Sequence, residues 1–333
     1  MIKQNRQFSP VFLLILMLFL SNLCSCSPIK SGKVSKSDFV LNTTATITIY
    51  DKKDEKLIDD CFNLCRKYES LLSRTIEDSE ISLLNSRKTS LVSDETAELI
   101  SQGLYFSRLS GGSFDITIEP LSSLWNFSAK SPSLPSEDEI DEAKSRIGYE
   151  AVTVTGNTVT FENEYTRLDL GAIAKGYVAD KVKDYLVSQG VERAIINLGG
   201  NVQCIGGKTD KSGFEVGIQR PFDSGSIAGV SISDMSVVTS GTYERYFVEN
   251  GKSYHHILDP KTGYPFENGL LSVTIIGKSS SYCDALSTAC FALGKEEGME
   301  LINDMDGYYA IFITDDYKLH LSNGAETALK ISY

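Results

Sequence analysis

Three segments of this 333-residue chain concentrate side chains able to do chemistry. The first is His255-His256-Ile257-Leu258-Asp259-Pro260-Lys261-Thr262-Gly263, which holds two of the three histidines. A neutral imidazole near pH 7 is a natural general base for a hydroxyl nucleophile. A histidine beside an apolar strand also serves as a hydrogen-bonded structural group, and the residues alone leave both readings open. No G-x-S-x-G elbow accompanies the pair, so a serine hydrolase has no support. The second segment, YCDALSTA from Tyr282, sets Asp284 and Thr288 four residues apart, on one face of a helix. Both offer oxygen, which suits a hard cation such as Mg²⁺; an aspartate capping a helix is the competing explanation. The third, LDLGAIAKGYVAD from Leu168, reads as a strand that turns at Gly171 and opens a helix. Free N–H groups and the positive end of the helix dipole suit phosphate, and Lys175 adds a full charge. The same pattern also describes an ordinary connection with a solvated lysine. Leu198-Gly199-Gly200-Asn201 and Ser240-Gly241-Thr242 are two more turns that either admit a ligand close to the backbone or are simply tight. None of these matches the dinucleotide fingerprint or the P-loop.

The elements that must hold these segments are set by periodicity. Residues 39–50 alternate and are rich in Thr and Ile, which reads as one or two strands. Residues 57–72 place Leu57, Cys61, Leu64, Cys65, Tyr68 and Leu72 on one helical face. Ser93 is an N-cap, with Asp94 and Glu95 in the first turn behind it. Residues 137–146 form a short charged helix, 152–161 a hairpin around Gly156-Asn157, and 172–188 a helix stopped by Gly190. Strands then come at 194–197, 214–218, 227–233, 236–239 and 271–276. Helices at 283–293 and near 296–303 precede a last hairpin over 308–314 and 317–321. Runs of strands with segregated helices predict an α+β fold with antiparallel or mixed sheets flanked by helices. No repeat of 20 to 50 residues is present. Trp125, the only tryptophan, is expected in the core.

Hydrophobic residues make up 41% and charged residues 23% of the chain, ordinary for a globular protein. A net charge of −12 argues against a nucleic-acid partner, which would meet a basic face. Lys3 and Arg6 precede an apolar stretch over residues 11–20, too short to span a bilayer and typical of a secretory leader. It ends in Leu23-Cys24-Ser25-Cys26, which resembles a bacterial lipobox cleaved before Cys26. The expected division is therefore a leader over 1–25, lipid on Cys26, a polar tether over 26–37 and one compact unit over 38–333. That places the protein on a membrane, on the outer side of the cytoplasmic membrane. Cys61 and Cys65 fit a buried helical face; the spacing of Cys61, Cys65, Cys204, Cys283 and Cys290 suggests no zinc site and leaves their redox state open.

Taken in order, several stretches resemble the ApbE family over nearly the whole chain after Asp38. They are LNTTATITIYD from Leu41, SRTIEDSEISLLN from Ser73, GGSFDITIEPLSSLWNF from Gly111 and LDLGAIAKGYVAD from Leu168. INLGGNV from Ile196, TSGTYERYF from Thr239, HHILDPKTGYP from His255 and DALSTA from Asp284 complete the set. The resemblance implies an FAD:protein FMN transferase with FAD in a cleft between two α+β halves and Mg²⁺ at the pyrophosphate. It places metal ligands at Asp284, Thr288 and the Ala172 carbonyl, with Ser287 nearby. It places the flavin site at Leu41, Thr75, Ser113, Phe114, Asp115, Asp169, Lys175 and Leu258, and gives His256 the role of activating the acceptor hydroxyl. The implied product is FMN in phosphoester linkage to a Thr or Ser of a partner flavoprotein, either a subunit of a redox-driven ion pump or an FMN-binding-domain protein. Many relatives carry methionine at Leu41 and an aromatic residue or asparagine at Thr75. Threonine cannot stack on an isoalloxazine ring, which keeps Mg²⁺-dependent FAD pyrophosphatase activity as an alternative. A non-catalytic flavin-binding lipoprotein is the third reading.

Overall fold

The computed structural model describes residues 32–333, so the leader and Cys26 lie outside the described residues. In chain order the elements are β1 (Val34–Val40), β2 (Thr43–Ile49), α1 (Glu55–Leu72), α2 (Glu80–Asn85), α3 (Asp94–Leu109), α4 (Glu119–Trp125), α5 (Glu137–Lys144), β3 (Val152–Thr155), β4 (Thr158–Phe161) and α6 (Ala174–Ser188). They continue with β5 (Ala194–Leu198), β6 (Asn201–Ile205), β7 (Phe214–Gln219), β8 (Ser226–Ile232), β9 (Ser236–Gly241), β10 (Tyr246–Glu249), β11 (Lys252–His255), β12 (Leu270–Gly277), α7 (Ser280–Asn303), β13 (Tyr309–Thr314), β14 (Leu319–Leu321) and α8 (Ala325–Leu329).

Eight strands form one sheet in the order β1-β2-β5-β6-β9-β12-β13-β14, and every neighbouring pair in it is antiparallel. Alternation along the strands divides the core between its two faces. Ala310 and Phe312 pack with α1, α6 and α7 on one face, and Ile311 and Ile313 pack with β7, β8 and α8 on the other. The α+β expectation holds. The tether boundary does not: β1 already begins at Val34. Its polar residues pair across the ladder, Ser35 with Thr48 at 2.7 Å and Ser37 with Thr46 at 2.8 Å. Lys36 meets Asp59 at 2.8 Å. A sheet-edge strand with few apolar side chains has the composition of a linker, which is why the sequence misleads there.

A third apolar cluster gathers Leu121 and Trp125 of α4, Ile140 and Ala143 of α5, Tyr254 of β11 and Leu258. Trp125 is buried, and its Nε1–H donates to the Gly263 carbonyl at 2.9 Å. All five described cysteines are buried free thiols, and burial pushes Cys65 and Cys204 up to about 12.

Helices α6 and α7 cross against the sheet at Gly176. A Cβ there would lie 2.2 Å from the Ser280 carbonyl oxygen and 2.7 Å from the Asp284 Cβ. Asp180, one turn further along α6, receives the N–H groups of Ser280 and Ser281, each at 2.9 Å, and so caps α7 from outside. Two separate helices are expected over 283–303, and the structure agrees: Gly294, at φ 82° and ψ 179°, is non-helical and breaks α7 into two helical pieces. Overpacking of this kind costs about 1–3 kcal/mol. Gly176→Ala should therefore lower the thermal unfolding midpoint measurably. An unchanged midpoint would show that the two helices do not meet this closely.

Candidate functional site

A cavity of about 800 Å³ opens between the sheet with its helices and the Trp125 cluster. Its wall is assembled from loops that the elements hold in place. At the β1–β2 turn, Leu41 and Asn42 have φ of 55° and 53°. Two left-handed residues give the tight turn whose twist matches a hairpin, and this one presents Leu41 to the cavity. After α1, the N–H groups of Thr75 and Ile76 donate to Ser73 Oγ at 3.1 and 3.2 Å, a local side-chain turn that fixes the loop. Thr75 is exposed at the cavity wall. Between them Arg74 reaches Asp169, with Nε 2.9 Å from Oδ2, and donates to Ser123 Oγ at 2.7 Å.

The two aspartates expected at a flavin site spend their oxygens on the protein. Asp169 also takes the Ser122 hydroxyl at 2.7 Å and the Gly171 N–H at 2.9 Å. Asp115 takes the Thr117 N–H and hydroxyl, both at 2.7 Å, and the Tyr149 N–H at 3.1 Å. Burial pushes the Asp115 carboxyl up, against the pull of those donors. Both residues therefore shape the loops that carry Ser113, Phe114 and Gly171 into the wall. Phe114 is buried beneath it, edge-on to Phe106 at 6.4 Å.

At the start of α6 one hydrogen bond is rerouted. In a continued helix the Gly176 N–H would bond the Ala172 carbonyl. Instead it donates to Asp284 Oδ2 at 2.8 Å. Among the described residues nothing donates to the Ala172 carbonyl oxygen or to Asp284 Oδ1. One turn along α7, the Thr288 hydroxyl lies 2.9 Å from Ser240 Oγ and faces the same cavity. Burial pushes the Asp284 carboxyl up, and Lys175 and the Gly176 N–H oppose it. A buried carboxylate, a hydroxyl and a freed carbonyl are hard oxygen donors. No cluster of three or more His, Cys, Asp or Glu exists among the described residues. A cation held here would thus have one carboxylate and keep positions for phosphate oxygens and water, the pattern that suits Mg²⁺.

Ser287 is the exception among the expected ligands. It is wholly buried, its hydroxyl donates to the Asp284 carbonyl at 2.8 Å, and it meets Ser240 at 2.8 Å. One residue of helix rotates it off the face that Asp284 and Thr288 share, so it braces Ser240 from behind and does not line the cavity.

His256 comes directly after β11, its N–H bonded to the Arg245 carbonyl at 3.1 Å. Its Nδ1 is buried without a partner, which leaves Nε2 as the nitrogen available to the cavity. Burial, then the charges of Arg245, His255 and Lys175, push its pKa down to about 3. The imidazole is accordingly neutral at pH 7. The neighbouring His255 is structural: its Nε2 lies 2.9 Å from the Phe266 carbonyl.

The structure thus brings Leu41, Thr75, Ser113, Phe114, Asp115, Asp169, Ala172, Lys175, His256, Leu258, Asp284 and Thr288 around one space. Sequence reasoning missed Arg74, Glu244 and Arg245, which also face it. Burial pushes the Glu244 carboxyl up, with Lys175 acting against it and Asp284 with it. The only signal for the last two was a Glu-Arg pair just past Ser240-Gly241, which the structure places in strand β9 and not in the expected turn, and charged pairs in loops are common.

The sequence profile of the ApbE family matches residues 41–312. The FAD:protein FMN transferase of Treponema pallidum is 32% identical, over 95% of this chain and 94% of that protein. The FAD:protein FMN transferase of Klebsiella pneumoniae is 37% identical, over 87% of this chain and 92% of that protein. Among solved structures, the ApbE protein of Thermotoga maritima superposes with a TM-score of 0.82 at 32% identity, covering 89% of this chain and 98% of that one. The flavin transferase ApbE of Vibrio cholerae gives 0.80 at 29% identity, covering 90% and 99%. Sequence over most of its length, fold and cavity agree, and the chain belongs to the ApbE family.

Proposed function

We propose that this protein transfers FMN from FAD to a threonine or serine hydroxyl of a partner flavoprotein, forming a phosphoester and releasing AMP. The observation that carries this reading is a neutral His256 in the same cavity as the Asp284, Thr288 and Ala172 oxygens. In the reaction the acceptor oxygen attacks the phosphorus on the FMN side of the diphosphate. The bond from that phosphorus to the bridging oxygen breaks, and the electron pair leaves with AMP. His256 takes the proton of the attacking hydroxyl, a role worth roughly 10²–10⁴-fold. Lys175 and Arg245 bring positive charge to the diphosphate, and the open start of α6 offers N–H donors to its oxygens. Mg²⁺ on Asp284, Thr288 and the Ala172 carbonyl would supply charge neutralisation at the diphosphate and at the departing AMP. The acceptor chemistry fits an FMN-binding-domain protein or an ion-pump subunit.

An in vitro assay tests this directly. Full-length protein in detergent is mixed with FAD, Mg²⁺ and an FMN-binding-domain acceptor, and covalent flavin is read by in-gel fluorescence. His256→Ala should keep FAD affinity and lose transfer, and Asp284→Ala should lose both transfer and its Mg²⁺ stimulation. Wild-type transfer by either variant removes that residue from the mechanism. Release of FMN and AMP with no labelled acceptor would point to the pyrophosphatase instead.

The depressed pKa of His256 gives a pH signature. Burial first, and then the cationic neighbours, hold it low in the free cavity; the negative diphosphate acts against the cationic part, so substrate should raise it. kcat/KM reports the free enzyme and kcat the complex. The acid limb of kcat should therefore lie at higher pH than that of kcat/KM for FAD. Coincident limbs would show that the diphosphate does not reach the imidazole.

We further infer that Cys26 carries a lipid that holds the domain on the outer side of the cytoplasmic membrane. Mass spectrometry of the mature protein should find diacylglycerol on Cys26, and an unmodified N-terminus elsewhere refutes the anchor.

A further inference from the structure

FMN transfer to a protein has a polypeptide as its second substrate, and a docking site for that polypeptide rests on the transferase reading. The β10–β11 hairpin ends one residue before His256. Its loop residues Asn250 and Gly251 have φ of 52° and 78°, the left-handed pair of a two-residue hairpin turn. In such a hairpin the flanking pair, Glu249 and Lys252, is hydrogen-bonded, and bonded and non-bonded pairs then alternate. The bond from the His256 N–H to the Arg245 carbonyl falls on the same alternation. The main-chain N–H and C=O groups of Tyr246 and Val248 therefore point away from β11. Among the described residues strand β10 has no second partner strand. Among the described residues no group on that side bonds these main-chain atoms.

The side chains along this edge are apolar and in water: Tyr246 is 45% exposed and Val248 62%. Against them stands Phe222 from the β7–β8 loop, itself half exposed, with its ring edge-on to Tyr246 at 5.4 Å and to Tyr243 at 5.9 Å. Phe222 has φ 58°, a genuine outlier for a bulky residue. The loop is held in this form by the Arg220 N–H to Gly225 carbonyl bond at 2.7 Å and the Asp223 N–H to Arg220 carbonyl bond at 3.1 Å. The backward continuation of β10 is Arg245 and Glu244, which are cavity wall.

We propose that the free edge of β10 is the docking strand for the acceptor protein. The flavin-accepting segment adds as a third strand beside Tyr246 and Val248, packs its side chains on Phe222, and passes over Arg245 so that its hydroxyl residue enters the cavity at His256. A hydroxyl carried on a polypeptide reaches His256 only if its backbone runs along the cavity wall. An unpaired strand in line with that wall supplies both direction and register. The edge is short, which is how sheets limit indiscriminate pairing.

Two substitutions separate the main-chain bonds from the apolar contact. Val248→Pro removes an outward N–H and leaves the bonds to β11 in place, as proline is tolerated on edge strands; Val248→Ala keeps the N–H. Phe222→Ser removes the aromatic wall. Each is made in the full-length protein, and the thermal midpoint confirms that it folds. Binding is measured by calorimetry with an FMN-binding domain whose acceptor threonine is replaced by valine, and KM for the unaltered domain is measured in the transfer assay. Val248→Pro and Phe222→Ser should each raise Kd and acceptor KM about tenfold, the effect of losing roughly one good contact. FAD affinity should be unchanged, and Val248→Ala, which keeps the N–H, should raise Kd and acceptor KM by less than Val248→Pro does. Normal transfer with unchanged Kd and KM in Val248→Pro overturns the docking strand and leaves the transferase standing. Binding that Val248→Pro weakens, with no flavin ever attached, overturns the transferase and leaves the docking strand standing. A self-association lost in Val248→Pro, with acceptor Kd unaffected, gives the edge to a second copy of the chain and overturns the proposal.

Discussion

One hydrogen bond organises the site: the Gly176 N–H to Asp284 Oδ2 at 2.8 Å. It exists because two helices come within backbone contact at a residue with no side chain. It holds a carboxylate whose burial would otherwise disfavour its charge, and it frees the Ala172 carbonyl in the same stroke. Much of the fold serves that contact. The sheet presents a continuous apolar face for α6 and α7 to lie on, and Asp180 ties the N-terminus of α7 back to α6. Strand β9 brings Ser240 against Thr288, and Ser287 behind it keeps the hydroxyl row in register.

The second constraint is electrostatic. Lys175, Arg245, Glu244 and Asp284 share a low-dielectric space with a histidine that burial keeps uncharged. Charges of both signs face one another across the cavity, with no ion pair closing among these four. Such a space suits a ligand with an anionic middle, whose diphosphate would lie near Lys175 and Arg245. Asp115 and Asp169, by contrast, are spent on loop N–H groups and Arg74, and act by holding the wall in place.

Much of this was legible in the sequence, for physical reasons that differ by element. α1 and the β3–β4 hairpin come from apolar periodicity and a Gly-Asn turn, both local signals. The Asp284 and Thr288 pair comes from helical spacing, and the ordered family stretches turned a weak pattern into a specific one. What stayed hidden depends on tertiary partners. Val34 to Ser37 have linker composition, and only the ladder to β2 makes them a strand. Strands β10 and β11 are four residues each, too short for alternation to register. Ser287 differs from Thr288 only by a helical rotation, which the letters suggest but burial decides. Arg74 gains its role through Asp169 and Ser123, neither of which is near it in the chain.

The order of the large sheet has a consequence for how the chain is made. β2 pairs with β5, joining Ala45 to Leu198, and the route between them passes through five helices before α6. Closing so long a loop comes before the contacts that reward it, and sheets built from such pairings form slowly. During synthesis the β1–β2 hairpin must wait with its inner edge open until residues beyond Ala194 emerge. A chain that cannot complete its sheet early keeps the inner edge of β2 unpaired for as long as its second half is missing.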